Sequence, residues 1–119
     1  MSNYQLITDA SELPALAAKL ATQVAVGFDT ETTSLDPYDG RLRLLQFAAP
    51  EADQVFVVDL DKVAPNGSAL TAPSLEPLRE ILRAPRPVKV AHNAKFDAKW
   101  CSHHLDTDCL LYTSDAADE

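Results

Sequence analysis

The chain of 119 residues is short of cysteine (two), glycine (three), tryptophan (one) and basic side chains (ten, against 18 acidic). Cys101 and Cys109 cannot build a disulfide framework, and their spacing matches no zinc pattern. A reducing, cytoplasmic setting is therefore the expectation. A net charge of −8 argues against nucleic-acid binding through a general basic surface. It leaves open contact with phosphates through metal ions, because hard cations require carboxylate oxygens. No apolar run reaches the roughly 18 residues of a membrane span, and no basic region followed by an apolar stretch opens the chain, so neither membrane nor secretory leader is expected.

What is present is enough for one core. Apolar residues make up 46% of the chain, which fits a single packed domain. Tyr4–Ile7 reads as a short edge strand. Asp9 or Ser11 is placed to cap a helix to about Thr22, with Leu13, Leu16, Ala17 and Leu20 on one stripe. Val24–Thr30, Arg41–Ala48 and Gln54–Leu60 read as three strands joined by short turns, an antiparallel meander. Residues 61–73, with Pro65, Asn66, Gly67 and Pro73, read as a surface loop, and Ser74 as the cap of a helix to Arg83. Val88–His92 is a fourth strand, and Asn93 is placed to cap a helix from Ala94 to about His103. The right-handed crossover rule sets the fourth strand parallel to the first long strand and beside it. The class is α/β: a mixed sheet with flanking helices.

Charge is segregated along the chain. Residues 1–78 carry net −7, whereas residues 79–104 carry net +4 around the fourth strand and last helix. Such a cluster is most simply a solvated face.

The informative stretch is Val26-Gly27-Phe28-Asp29-Thr30-Glu31-Thr32. Residues two apart on a strand project to the same side, so Asp29 and Glu31 do so at the end of an apolar strand. Two carboxylates that close repel when partly buried, and a divalent cation removes the conflict. A second run, His92-Asn93-Ala94-Lys95-Phe96-Asp97, places Asp97 in the first turn of a helix just past the neighbouring strand. Open sheets of this kind hold their sites at the carboxyl ends of strands. Three carboxylates without imidazole or thiolate make a Mg²⁺ or Mn²⁺ site rather than a zinc site.

The ordered pair FDTETTSLD and HNAKFD, on matching elements, resembles motifs I and II of the DEDD superfamily of 3′–5′ exonucleases. The resemblance spans roughly residues 4 to 104. It implies a ribonuclease H-like fold and hydrolysis of phosphodiester bonds from a 3′ end with two divalent metal ions. The Leu-Gln of RLRLLQFA and the N-x-K-F-D form are most similar to the proofreading domain of DNA polymerase I, with ribonuclease D close behind. The implied partner is a single-stranded 3′ end, DNA before RNA, with a polymerase domain possible in the same parent chain.

Carried over position by position, Asp29 would bridge both metals, Glu31 would bind the one that activates water, and Asp97 would hold the other. Thr32 and Leu35 match positions that hold the terminal nucleotide and wedge against its bases. Asn93 matches the motif II asparagine, a role compatible with capping its helix, and Lys95 either faces phosphate or is simply solvated. Phe28, Phe96 and Trp100 read as packing. Cys101, His103 and His104 lack a second ligand pair at zinc spacing. The family's third motif, a Tyr or His four residues before a fourth Asp, is missing, so the chain as written is expected to be inactive. It is also expected to leave apolar sheet surface uncovered. A non-catalytic module on the same fold, or a chimeric fragment, are the other readings.

The run from Cys109 to Glu119 (CLLYTSDAADE) does not resemble the rest of the chain. Read back into codons, it resembles translation through a transposon-end sequencing adapter. On that reading the natural chain reaches only to about Asp108. Loss of Asp115, Asp118 and Glu119 takes the net charge from −8 to −5.

Overall fold

A computed structural model describes residues 3–65 and 68–113. Asn66, Gly67 and the greater part of the expected foreign tail, from residue 114 onward, lie outside the described residues. The elements are β1 (Asn3–Ile7), α1 (Leu13–Ala21), β2 (Ala25–Thr32), β3 (Leu42–Ala49) and β4 (Gln54–Asp59). A helical turn α2 (Leu60–Val63), α3 (Glu76–Arg83), β5 (Val88–Ala91), α4 (Ala94–Leu105) and β6 (Tyr112–Thr113) follow. One six-stranded sheet runs β1-β4-β3-β2-β5-β6. The meander β2–β3–β4 is antiparallel, and β5 lies beside β2 and parallel to it, as the sequence predicts.

Local chemistry accounts for the elements. Asp9, not Ser11, is the first cap: its carboxylate accepts the Ser11 N–H at 2.9 Å, ahead of a 3₁₀ turn and α1. Leu13, Leu16, Ala17 and Leu20 are all buried, the stripe expected of an amphipathic helix. In β2 the alternation sends Val26, Phe28 and Thr30 under the helices. There Phe28 stacks on Phe47 of β3 at a ring separation of 5.1 Å. Each such side chain, fully buried, contributes roughly 1.5–3 kcal/mol.

The opposite sheet face carries Leu44, Val55, Val57, Val88 and Val90, all only half-buried. It continues onto the edge strand, where Tyr4 and Leu6 are 73% and 61% exposed. This is the uncovered apolar surface that the sequence leads one to expect.

Several expectations need correction. Residues 61–73 are not simply a surface loop: they begin in α2 and continue in 3₁₀ turns, with Val63, Ala64 and Ala72 buried. The reason is Arg79, whose guanidinium binds the carbonyls of Ala69, Leu70 and Ala72 from inside. Ser74 does not cap α3; it sits in the 3₁₀ turn Pro73–Leu75, and α3 starts without a side-chain cap. The basic cluster around β5 is not one solvated face, since Arg79 and Lys89 are buried, Lys89 donating to the Ala84 carbonyl. The last helix runs two residues past His103, to Leu105. The two-residue strand β6, inside the expected tail, was not anticipated.

Gly40 shows how tightly the turn after β2 is closed. A Cβ built there would lie 2.6 Å from Ser34 Cβ and 3.0 Å from the Trp100 ring. Its backbone is extended, so the requirement is for space rather than for a special dihedral. Gly40→Ala is expected to destabilise the chain by about 1–3 kcal/mol, read as a lower denaturation midpoint.

Candidate active site

The parallel register Phe28↔Ala91 brings the ends of β2 and β5 together, so the residues just beyond them share one sheet edge. Asn93 closes β5 and opens α4, its side-chain oxygen accepting the Phe96 N–H at 3.2 Å. That cap sets the first turn of α4, which carries Lys95 at the surface and Asp97 inside. Asp97 is only 2% exposed, and its Oδ1 accepts the Thr30 hydroxyl at 2.6 Å. The third acidic residue thus touches the residue that separates the other two.

Asp29 and Glu31 lie on the open side of β2 and are exposed, whereas Thr30 and Asp97 lie on the helix side. Among the described residues no three His, Cys, Asp or Glu side chains approach closely enough to hold a metal ion. The three carboxylates therefore flank one strand end without forming a closed cluster. Asp97 does sense Asp29. The Asp97 carboxyl is raised from 3.8 to about 6: burial is the largest cause and the neighbouring Asp29 adds to it, against the opposing Thr30 hydrogen bond and His92. Burial and a nearby negative charge both penalise the ionised form. A cation between these groups would relieve that penalty, and oxygen-only donors suit a hard divalent ion. In donor chemistry the residues fit such an ion.

The remaining candidates are placed as follows. Thr32 is half-buried and donates its hydroxyl to the Ser34 carbonyl at 2.7 Å, so that group is engaged within its own turn. Leu35 is 86% exposed. Trp100 and Phe28 are core residues, and Phe96 packs against the core. His104 Nε2 meets the Pro37 carbonyl at 2.8 Å and its ring stacks on Trp100. Cys101 is buried beside Cys109; the hydrogen bond between the thiols, then burial, pushes the Cys101 thiol up.

Two polar residues at the site were not assigned to it from the sequence. Gln46 is the register partner of Asp29 on β3. His92 follows β5, and both line, with Asp29, a shallow cavity of about 240 Å³ floored by Gly27, Ala48, Val55 and Val90. Pairing two strands in register would have found Gln46; His92 was visible as the first residue of HNAKFD, with nothing to separate it from a solvated histidine.

A family model described as 3′–5′ exonuclease matches residues 4–115. Ribonuclease D of Jannaschia sp. (strain CCS1) is 40% identical over 91 residues, covering 76% of this chain and 22% of that protein. DNA polymerase I of Pseudomonas aeruginosa is 28% identical over 96 residues, covering 80% of this chain and 10% of the polymerase. The chain therefore spans less than a quarter of the length of either relative. Among solved structures, Escherichia coli RNase D, an exoribonuclease involved in structured RNA processing, superposes with a TM-score of 0.75 at 25% identity, over 93% of this chain and 27% of that one.

Proposed function

The chain belongs to the 3′–5′ exonuclease domain family, and from that premise we propose that it serves hydrolysis of RNA from the 3′ end, in the manner of ribonuclease D. The carrying observation is the Asp97–Thr30 contact, which ties the motif in α4 to the strand bearing Asp29 and Glu31. The sequence alone placed DNA before RNA; the 40% identity to a ribonuclease D against 28% to a DNA polymerase I favours RNA. DNA proofreading is the second reading, supported by the Leu45-Gln46 and N-x-K-F-D forms.

Members of this family generally work with divalent metal ions, and Asp29, Glu31 and Asp97 would hold them here. Bound Mg²⁺ or Mn²⁺ supplies activation of water and neutralisation of charge on the leaving 3′ oxygen. The chain's own residues do the positioning. Asn93 fixes the first turn of α4, Thr30 orients the Asp97 carboxylate, and Lys95 at the surface faces the phosphate backbone. Thr32 and Leu35 receive the terminal nucleotide. We further read residues 1–108 as the N-terminal part of the domain and 109–119 as adapter-derived; a longer sequence from the same source that continues with CLLYTSDAADE would overturn this. No described helix is long and apolar enough to cross a membrane.

Calorimetric titration tests the metal assignment. Saturable Mn²⁺ uptake is expected for the unaltered chain and none for Asp29→Ala, with both folded by circular dichroism. Absence of uptake by the unaltered chain, or equal uptake by both, favours a non-catalytic module.

A further inference from the structure

We propose that the outer face of α4 and the Tyr38 turn form a track on which single-stranded RNA lies as it approaches the carboxylates. This rests on the nuclease reading above and, apart from Lys95, uses residues outside the site described there. Lys95, Lys99 and His103, four residues apart, are all exposed, and this spacing puts them in one row on a helix. The row starts in the first turn of α4, the turn that carries Asp97 on its inner side, and runs roughly 12 Å along the axis. In a chain of net charge −8, a row holding two lysines and no acid, leading to the helix turn that bears Asp97, is the surface complementary to a phosphate backbone.

At its far end the row meets an aromatic platform. Tyr38 is 81% exposed, yet its ring is held edge-on against His103 at a centroid separation of 4.4 Å. The turn beneath it is tied down by several contacts. Pro37 is buried, its carbonyl binds His104 Nε2, Asp36 accepts the Tyr38 N–H at 2.9 Å, and Gly40 packs against Ser34 and Trp100. A large ring fixed in position but left in solvent suits stacking by an unpaired base. Asp36 is engaged in capping, so Asp39 is the acid that opposes a phosphate here.

Fluorescence anisotropy with a labelled oligouridylate, in EDTA, tests the track on the whole 119-residue chain. Tyr38→Ala should weaken binding roughly tenfold and Tyr38→Phe hardly at all, since stacking needs only the ring. Lys99→Gln should lower the slope of log affinity against log salt by about 0.7, one phosphate contact on a single strand, and Asp39→Asn should tighten binding. A duplex of the same length should bind more weakly than the single strand. Binding that survives Tyr38→Ala and Lys99→Gln unchanged overturns the track and leaves the nuclease reading standing. No binding by the unaltered chain overturns the track, and Mn²⁺ uptake then decides whether the nuclease reading falls with it. Thermal melting of each variant separates lost binding from lost fold.

Discussion

Asp97→Asn should make the protein more stable and the parent enzyme inactive. The carboxyl is 2% exposed and titrates near 6 rather than 3.8, first because it is buried and further because Asp29 lies close. A folded-state value above the unfolded one means that the native state binds the proton more tightly. This contribution to stability is complete below about pH 4 and is lost as the pH rises through about 6. The difference corresponds to at most about 3 kcal/mol. Asparagine keeps an oxygen for the Thr30 hydroxyl and carries no charge, so at pH 7.5 it should recover about 2 kcal/mol, a Tm higher by roughly 5–10 °C.

The same comparison at pH 4.5 should show the gap shrunk to about a third of its neutral-pH size. A gap of the same size at both pH values would mean that the charge of Asp97 is not the cause. Saturating Mn²⁺ should narrow the gap at neutral pH by stabilising only the unaltered chain. Such opposition between stability and activity is what a site that gathers like charges should show.

The strands and the site motif were legible because each rests on local rules. A β-branched, apolar run marked β2, an Asn placed to cap marked the start of α4, and D-x-E on a strand needs only the period of two. The unread features depend on contacts distant in sequence. In β5 the pattern Val88-Lys89-Val90-Ala91 suggests that the valines face the core. The parallel register, however, sets Lys89 beside Val26 and Ala91 beside Phe28, and so turns the lysine inward. No periodicity contains that phase; only the pairing does. Thr30 was passed over for the same reason, since its partner lies 67 residues away. Residues 61–73 have the composition of a loop, and what orders them is a single side chain in α3.

That side chain carries the other large effect. Arg79 is 7% exposed and donates to Leu105 at 2.9 Å, Ala72 at 2.8 Å, Ala69 at 2.7 Å and Leu70 at 3.3 Å, all backbone carbonyls. Among the described residues its acidic partner is Glu76, which sits at 3.4 Å and is held more closely by Arg83 at 2.6 Å. The buried charge is therefore satisfied mainly by peptide dipoles, including that of Leu105 at the negative end of α4. Arg79→Ala orphans these carbonyls and opens a hole, at an expected cost of 3–5 kcal/mol, a large part of the roughly 5–15 kcal/mol that holds a domain together. Arg79→Lys should fall between, since one ammonium cannot reproduce the planar fork. Glu76→Gln should cost far less than either, because that carboxylate is half exposed and its pairs are screened. Urea denaturation of the three variants orders them, and a Glu76→Gln loss as large as that of Arg79→Ala would place the energy in the ion pair instead. Because Leu105 ends the helix that carries Asp97, the lysine variant should also lower nuclease activity in the parent enzyme while remaining folded, linking a contact behind the sheet edge to the chemistry in front of it.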